Sequence, residues 1–466
     1  MTAPTTRPVS VVSATGMLGT GFLASSLDAA IALGARAIGC DAGSSDSGPY
    51  FLGSGKLSRS HAALKRDLEL MILAGRKAKI PVAVGSAVNA GADAQLAEAV
   101  RLVEEIASEH RLDLKVAVIH SELSREWLLD AWRSGRVRSQ PSVPELDEKT
   151  ISGTAHLVAQ MGPEPFMTAL DAGADVVIAG RASDAAIFAA LAMRLGVAPG
   201  PAWHAGKILE CGAAPAIQRL HPDCILATFE GAEDFTIQIP NPQMACSELS
   251  VRAHGYYENA DPFQIHEPGG TIDTAQSRFT ELGDGRVRVG GSRFLSAGRY
   301  EIRVEGSRLA GYRSIAVAGI SDPILLDNLD EFLSTCEAAI VGKCRESLRI
   351  ERDADYRLLI RRYGTANGPP DANATHRIGL VFEVVAATQA NARAAAAVAV
   401  HTALHHPVRN WQGFVSNLAI PFSPAVFDGG AVYEWCLNHL VAIDDPCAPF
   451  RMEMKTLTRE RGNAAR

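Results

Sequence analysis

The sequence lacks the commonest local signatures of metal, phosphate and hydrolase chemistry. Its eight cysteines form no C-x-x-C pair, which argues against a zinc ribbon and a disulfide framework and fits a reducing cytoplasm. No G-x-S-x-G elbow, P-loop or EF-hand loop occurs, so the serine hydrolase, NTPase and calcium-binding classes lose their usual anchors. The residues therefore point to no metal and to no firmly implied cofactor.

Long apolar runs and blocks of one charge are also absent. No apolar run reaches about 18 residues, and the N-terminal segment has no hydrophobic stretch of the kind found in signal peptides, so neither a membrane span nor secretion is supported. The net charge is −7, and acidic and basic residues are interspersed without the basic stripe that a phosphate backbone needs. The sequence predicts a cytoplasmic protein with no nucleic-acid or membrane partner.

The sequence does have hydrophobic residues, 47% of 466, enough to build two or three domains. From residue 8 to about 196, short β-branched runs alternate with longer amphipathic ones. This order predicts the α/β class, with a mostly parallel sheet and helices on both faces. A β-rich middle segment with short alternating runs such as SELSVRAHGYYE follows, and a C-terminal α+β domain resembles a split βαβ unit. The predicted division is an α/β domain at 1–225, the β-rich segment at 226–312, the α+β domain at 313–445 and a charged, frayed tail at 446–466.

The stretch GCDAGSSDSGPYFLGSG, residues 39–55, places many small polar groups directly after an apolar strand. Ligands of parallel sheets bind beyond the carboxyl ends of the strands, so this loop is a candidate floor of a site. Asp41, Asp46 and Tyr50 are candidate catalytic groups, and Ser44 and Ser45 offer hydroxyl groups to a substrate. The alternative is a surface loop whose serines and aspartates bond their own backbone.

The segment TGMLGTG, residues 15–21, lies between the first strand and a helix. Its backbone amides could hold a phosphate or carboxylate, so Gly16, Gly19 and Gly21 are substrate-binding candidates, and we expect this loop to share one pocket with the 41–50 loop. Asp41 follows where a dinucleotide-binding protein keeps its ribose-binding acid, yet the G-x-x-G-x-G spacing differs from the usual fingerprint. No tyrosine has a lysine four residues later, which speaks against a short-chain dehydrogenase. A purely structural turn is the alternative.

Further candidates follow other strands of the predicted sheet. His120 closes the strand of VIHSEL and is a candidate general base, or a hydrogen-bonded structural histidine. Arg181 in AGRASDAA offers a bidentate fork to an anionic substrate, with Asp184 nearby, although this segment could simply cap a helix. Lys207 and Glu210 in WHAGKILECGA fall on one helix face, as substrate-binding groups or as a solvated surface.

Several stretches together resemble the acyclic terpene utilisation (AtuA) family. They are DAGSSDSGPYFLGSG, AGRASDAA, GKILECGA, YENADPFQIHEPGG, RLAGYR, NLAIPFSP and VYEW with LNHL, and they span almost the whole chain. The family is bacterial and cytoplasmic, and its genes neighbour those of acyl-CoA carboxylases, CoA transferases and lyases, so the resemblance implies carboxylic-acid or acyl-CoA catabolism. The glycine loop SATGMLGTGF departs from the founding terpene members, so breakdown of citronellol or geraniol is not implied.

The sequence thus favours an enzyme, either a lyase (a hydro-lyase, that is a hydratase, or a carbon–carbon lyase) or an isomerase, that acts on a carboxylic acid or its acyl-CoA thioester by acid–base chemistry. The expected partner is a small anionic substrate, with coenzyme A present only as part of that substrate, and we expect a homo-oligomer. Two other classes stay open. One is a non-catalytic ligand-binding or accessory subunit of an acyl-CoA carboxylase or lyase complex, and the other is an NAD-dependent oxidoreductase.

Overall fold

Two compact units make up the protein, for which a computed structural model describes residues 8–364, 377–410 and 417–458. The first unit is Met1–Arg308 with Trp435–Arg466, and the second is Leu309–Glu434. The four-segment division expected from the sequence stays a prediction, because compact packing does not by itself define an independently folding domain.

The strands are β1 Val9–Ser13, β2 Ala35–Asp41, β3 Val82–Gly85, β4 Leu114–Ile119, β5 Val137–Ser139, β6 His156–Ala159, β7 Val176–Ala179, β8 Ile225–Phe229, β9 Asp234–Gln238, β10 Gln264–Glu267, β11 Gly270–Asp273, β12 Arg278–Gly283, β13 Arg286–Gly290, β14 Arg293–Ser296, β15 Tyr300–Ile320, β16 Tyr356–Tyr363, β17 Ile378–Ala386, β18 Val426–Ile443 and β19 Met452–Leu457. The helices are α1 Ala24–Ala32, α2 Pro49–Ser54, α3 His61–Ala78, α4 Asp93–Glu109, α5 Arg125–Arg133, α6 Glu148–Gly153, α7 Glu164–Asp171, α8 Asp184–Arg194, α9 Pro199–Leu209, α10 Glu248–Tyr256, α11 Pro323–Asp327, α12 Leu329–Lys343 and α13 Gln389–His405. Ser45–Ser47 forms a 3₁₀ turn and Cys344–Leu348 a π turn.

A ten-stranded sheet organises the first unit, in the order β12-β13-β9-β8-β1-β2-β3-β7-β4-β19. Its five central strands pair in parallel, and they are β1, β2, β3, β7 and β4. The strands on either side of them pair antiparallel. The predicted α/β class and its parallel sheet are thereby confirmed.

Helices cover both faces of the parallel strands because the strand side chains are apolar at consecutive positions. On one face Ala37 and Val177 belong to the same core as Phe188 of α8. On the other face Ile38 belongs to a second core with Leu68 of α3. The two cores hold the strands in place, so their carboxyl ends present a fixed edge.

The middle of the chain extends this sheet through the antiparallel strands β8, β9, β12 and β13. One expectation is wrong here: SELSVRAHGYYE does not form a strand but the helix α10. Ser247 and Ser250 explain the difference, because each side-chain oxygen accepts a hydrogen bond from the other residue's backbone N–H and so fixes the start of the helix.

The expected frayed tail is also wrong for the residues that the structure describes. Met452–Leu457 forms β19, which pairs antiparallel with β4 over its whole length. Met454 and Thr456 are exposed, whereas Glu453 and Lys455 are half-buried and Lys455 forms an ion pair with Glu104 (3.0 Å). Charged side chains are common on the edge strands of sheets.

The second unit is a smaller α+β fold. Residues 312–320 of β15 pair antiparallel with β17, which also pairs with β16. Helices α12 and α13 supply Phe332 and Ala395 to a core that includes Phe382 of β17. The predicted split βαβ arrangement of strand, helix, two strands and helix is confirmed. Among the described residues no helix is long and apolar enough to cross a bilayer.

Candidate functional site

Loops from the carboxyl ends of neighbouring parallel strands meet at one edge of the sheet. The Leu18 N–H donates to the Asp41 carbonyl (3.1 Å), and the Ser86 N–H donates to the Gly180 carbonyl (2.8 Å). Hydrogen bonds thus connect the glycine loop to the 41–50 loop, and the 86–91 loop to the 180–183 loop. This edge is where α/β sheets carry their ligand sites.

The glycine loop holds an anion, but that anion is a side chain of the protein. Asp67 Oδ2 accepts from the backbone N–H of Gly19 (2.8 Å) and of Gly21 (3.0 Å), and Asp67 is fully buried. Gly16 has a separate reason: a Cβ there would lie 2.4 Å from the backbone of Cys211. Gly19 and Gly21 line a cavity of about 370 Å³ with Asp67, and Ser45 and Asp46 line a different one, so the expected shared pocket is two cavities.

Removing Asp67 should therefore open an anion site that the protein normally fills itself. In Asp67→Ala the two amides lose their acceptor, and we expect the free energy of unfolding to fall by about 2 kcal/mol. Phosphate should raise the melting temperature of this variant but not of the wild type. The exposed Asp28→Ala is the control, and thermal shift with and without phosphate is the measurement; equal phosphate responses of Asp67→Ala and wild type would contradict the assignment.

A cluster of carboxyl groups and basic side chains lies at the same edge of the sheet, and we call it the carboxylate cluster. Its members form ion pairs with one another, or the charge of one shifts the pKa of another. They are Asp41, Asp184, Glu210, Glu267 and Glu305 with the cations Arg181, Lys207 and Arg303. Acids outnumber bases, so the charge is balanced only if some carboxyl groups keep their protons.

Arg181 lies at the centre of the cluster and is bonded to the protein itself. Its Nε donates to Glu305 (2.9 Å), and its Nη1 donates to Asp184 (2.9 Å) and to Ser86 Oγ (3.2 Å). Only 3% of Arg181 is exposed. The expected role in substrate binding stays a prediction. Through the observed contacts Arg181 links the 86–91 loop, α8 and β15.

The sequence left open whether the segment AGRASDAA caps a helix or belongs to the functional site, and the start of α8 does both. Ser183 is the N-cap, because its Oγ accepts from the Ala186 N–H. The same hydroxyl donates to Glu267 (2.5 Å), so the cap also belongs to the cluster.

Lys207 and Glu210 form a buried ion pair at the end of α9, rather than a solvated surface. Lys207 Nζ lies 2.6 Å from a Glu210 carboxylate oxygen and 5.1 Å from the ring centroid of Tyr257. Tyr257 is 2.8 Å from the Cys211 sulfur. The pair therefore connects the cluster to the Cys211 thiol and the Tyr257 phenol.

Burial shifts the titration of the cluster. It raises the pKa of Asp41, with the charge of Asp184 acting in the same direction, and it raises the pKa of Asp184. It also raises the pKa of Glu210 to about 8 against the pull of Lys207, and the pKa of Glu267 to about 7. Glu305 differs: burial acts to raise its pKa, but the Arg181 guanidinium holds it below the usual value. The cluster thus holds carboxyl groups that keep a proton near neutral pH beside one that is ionised.

The pKa of Glu267 makes a prediction for stability. Its folded-state pKa lies above the value near 4.5 of an unfolded chain, so the unfolded state loses the proton first and the free energy of unfolding falls as pH rises from about 4.5 to 7. Glu267→Gln removes this loss, which is worth about 1–3 kcal/mol. Urea unfolding at pH 5 and pH 8 measures it, with the exposed Glu230→Gln as control. A Glu267→Gln profile parallel to that of the wild type would show that Glu267 does not titrate in this range.

The serines of the 41–50 loop are bonded to three different parts of the site. Ser44 Oγ accepts from the Asp46 N–H (3.1 Å) and starts the 3₁₀ turn. Ser45 Oγ donates to Glu305 (3.0 Å) and Ser47 Oγ to Asn89 (3.2 Å). These contacts hold the Asp46 backbone while its carboxylate stays exposed. Tyr50 lies in α2, where Lys56 Nζ is 5.9 Å from its ring centroid.

The 86–91 loop carries backbone strain of the kind that concentrates at functional sites. Ser86, Val88 and Asn89 have φ values of 51°, 48° and 138°, all in the left-handed region that favours glycine. Position 43, which contacts this loop, must be a glycine because a Cβ there would lie 2.6 Å from the Asn89 Cα. Asn89 Nδ2 is buried and has no hydrogen-bond partner among the described residues.

A cavity of about 580 Å³ opens beside the carboxylate cluster. Its volume is typical of small-molecule sites. Polar and apolar side chains share its wall. Among the polar ones are Ser45, Asp46, Arg303 and Glu305, and among the apolar ones are Leu146, Trp435 and Leu437. Of the residues expected at the site, Ser45 and Asp46 line this cavity.

His120 lies elsewhere, at the end of β4, which is separated from β2 by β3 and β7 in the sheet order. Its Nδ1 is 2.7 Å from Asp93 Oδ1, and its Nε2 is 3.0 Å from Arg451 Nη2. An imidazole that donates through Nδ1 to a carboxylate and accepts a guanidinium N–H at Nε2 has no nitrogen left for a substrate proton. Its role as a general base stays a prediction that these contacts do not favour.

Arg303, Glu305 and Glu267 were missed at the level of the sequence. Arg303 and Glu305 alternate with Ile302 and Val304, which are fully buried in the core. The two charged residues thus share the other face of β15, and this period-two pattern was a usable signal. Glu267 stands in QIHEPGG, a segment that carried the resemblance but had no role assigned.

The fold and the cluster define an α/β protein with buried carboxyl groups at the carboxyl edge of a parallel sheet. Residues 61–215 match the family described as acyclic terpene utilisation family protein AtuA, which confirms the suspected family over that part of the chain. The matched range contains Arg181, Asp184, Lys207 and Glu210 of the cluster. No curated protein and no solved structure matches the chain significantly.

Proposed function

We propose that the protein is a cytoplasmic catabolic enzyme, a lyase, hydratase or isomerase, that acts on a carboxylic acid or its acyl-CoA thioester by acid–base chemistry. The cavity beside the carboxylate cluster is the substrate site, and Asp46 transfers the proton. One observation carries the proposal: Ser45 on the cavity wall donates to Glu305, Glu305 accepts from Arg181, and Arg181 donates to Asp184. The cavity is thus bonded directly to the buried acids.

Asp46 suits this role by its position. Its carboxylate is exposed on the cavity wall, and its backbone is fixed by Ser44. Lyases, hydratases and isomerases of carboxylic acids share a proton transfer at carbon near the carboxyl group, and a positioned carboxylate can accept that proton. Burial raises the pKa of Glu267, whose charge interacts with that of Arg303 on the wall, to about 7, so this group can give or take a proton at neutral pH.

The oxidoreductase alternative gains no support from the glycine loop. A pyrophosphate would need backbone amides of that loop, and those of Gly19 and Gly21 are bonded to Asp67. The acyclic terpene utilisation family is named for a utilisation process, so the family name is compatible with either a catabolic enzyme or an accessory subunit.

Isotope exchange tests the proposal whatever the product of the reaction. The purified protein is incubated in D₂O with panels of saturated, enoyl and hydroxy acids and their CoA thioesters. We expect deuterium at a carbon next to the carboxyl group of at least one compound, detected by mass spectrometry and NMR, together with conversion of that compound. Binding of panel members with neither exchange nor conversion would favour the accessory-subunit alternative instead.

A further inference from the structure

We infer that Arg303 binds the carboxylate of a free acid in this cavity, and that the hydrocarbon part of the acid packs on Leu146, Trp435 and Leu437. The inference rests on the proposed function for the identity of the cavity as the substrate site. It goes further by choosing the free acid over the CoA thioester and by naming the residue that holds it.

Arg303 lines the cavity, and no described residue forms an ion pair with it. In the described part of the chain its guanidinium forms no salt bridge, and its buried Nε has no hydrogen-bond acceptor. Arg181 is the opposite case, since its Nε and Nη1 donate to Glu305 and Asp184. Of these two arginines at the site, Arg303 is the one whose Nε–H has no acceptor within the described residues.

The nearby acids do not fill this role. One carboxylate oxygen of Glu305 accepts a hydrogen bond from Ser45, and the other accepts one from Arg181. Glu267 accepts a hydrogen bond from Ser183. The charge of Arg303 lowers the pKa of both carboxyl groups, so it lies close to them without bonding to them. A ligand carboxylate would supply the missing acceptor in the planar, bidentate geometry that a guanidinium favours.

Other side chains of the cavity wall are apolar. Leu146 and Leu437 are 7% and 2% exposed, so their surfaces are held in place by the core, and Trp435 adds a large ring at 40% exposure. A cavity of about 580 Å³ whose wall includes a guanidinium group and large apolar side chains fits an acid with a hydrocarbon chain of medium length.

The charges on the wall do not suit coenzyme A. The cavity is lined by the acids Asp46, Glu145 and Glu305 and by the bases Arg303 and Arg308. Acids outnumber bases, whereas the phosphates of coenzyme A would need an excess of positive charge. A ligand with a single carboxylate is matched by Arg303 alone.

Calorimetric titration of the full-length protein with octanoate, octanamide and octanoyl-CoA tests the inference. We expect octanoate to bind, and octanamide and octanoyl-CoA to bind at least 10-fold more weakly. Arg303→Met should weaken octanoate binding about 10- to 100-fold, the loss expected for charged hydrogen bonds, and leave octanamide unchanged. Arg303→Lys keeps the charge but lacks the planar guanidinium, so its affinity for octanoate should lie between those of the wild type and Arg303→Met. The exposed Arg299→Met, four residues earlier in the chain, is the matched control and should bind like the wild type.

Three results would overturn the inference: no octanoate binding by the wild type, tighter binding of octanoyl-CoA, or wild-type affinity in Arg303→Met. Melting curves of both methionine variants show whether an affinity change reflects unfolding, and Arg303→Lys provides the comparison if Arg303→Met does not fold. The proposed function is judged separately. Arg303-dependent binding without isotope exchange would support the Arg303 site and contradict the proposed enzymatic function. Isotope exchange that Arg303→Met leaves undiminished would support the enzymatic function and contradict the Arg303 site.

Discussion

Arg181→Met should lower the free energy of unfolding by about 3–5 kcal/mol, because it leaves the buried carboxylate of Glu305 and the carboxyl group of Asp184 without their cation. Urea unfolding measures the change. Arg194→Met is the matched control: Arg194 pairs with Asp171 at the surface, where such pairs contribute less than about 1 kcal/mol.

A double variant separates the ion pair from the rest of the side chain. Removing one partner of a buried pair leaves an uncompensated charge, whereas removing both does not. We therefore expect Arg181→Met with Glu305→Gln to be more stable than Arg181→Met alone. A loss below about 1 kcal/mol in Arg181→Met, together with impaired substrate binding, would instead return Arg181 to the substrate-binding role that the sequence suggested.

Asp46→Asn should keep the fold and lower the isotope-exchange rate about 10²- to 10⁴-fold, since the amide cannot accept the proton. The side chain is exposed and its backbone contact to Ser44 does not involve the carboxylate, so stability should change little. Exchange rates and melting temperatures are compared with those of the exposed Asp130→Asn.

Octanoate affinity in Asp46→Asn should stay within about three-fold of the wild type, because Arg303 and not Asp46 holds the carboxylate. Exchange at the wild-type rate would remove Asp46 from the mechanism. The cavity would then need another proton acceptor, and Glu305 is a further carboxylate on its wall.

The parallel strands were predictable from the sequence because their signal is local. Runs such as VAVIH and DVVIAG are apolar at consecutive positions, and β4 and β7 form there. The polar residues after them were correctly placed at strand ends for the same reason. Ser45 and Asp46, which line the cavity, could be found in this way.

Contacts between distant segments were not predictable from such patterns. The glycine loop indicated an anion correctly, but the acceptor is Asp67, which belongs to α3 and carries no mark of this role in the sequence. Arg181 indicated a carboxylate partner, but the partners are Glu305 on β15 and Asp184 in the next helix. The sequence showed which residues bind charge, and only the fold shows whether a ligand or the protein supplies the counter-charge.

The pairing of β19 with β4 also has a consequence during synthesis of the chain. Strand β4 is translated early, but its open side acquires hydrogen bonds only when residues 452–457 have left the ribosome. Until then its backbone donors and acceptors are available to other chains, as on any unprotected sheet edge. A chain interrupted before Met452 would remain in that state, so the proportion of aggregated product should rise sharply when translation stops short of this strand.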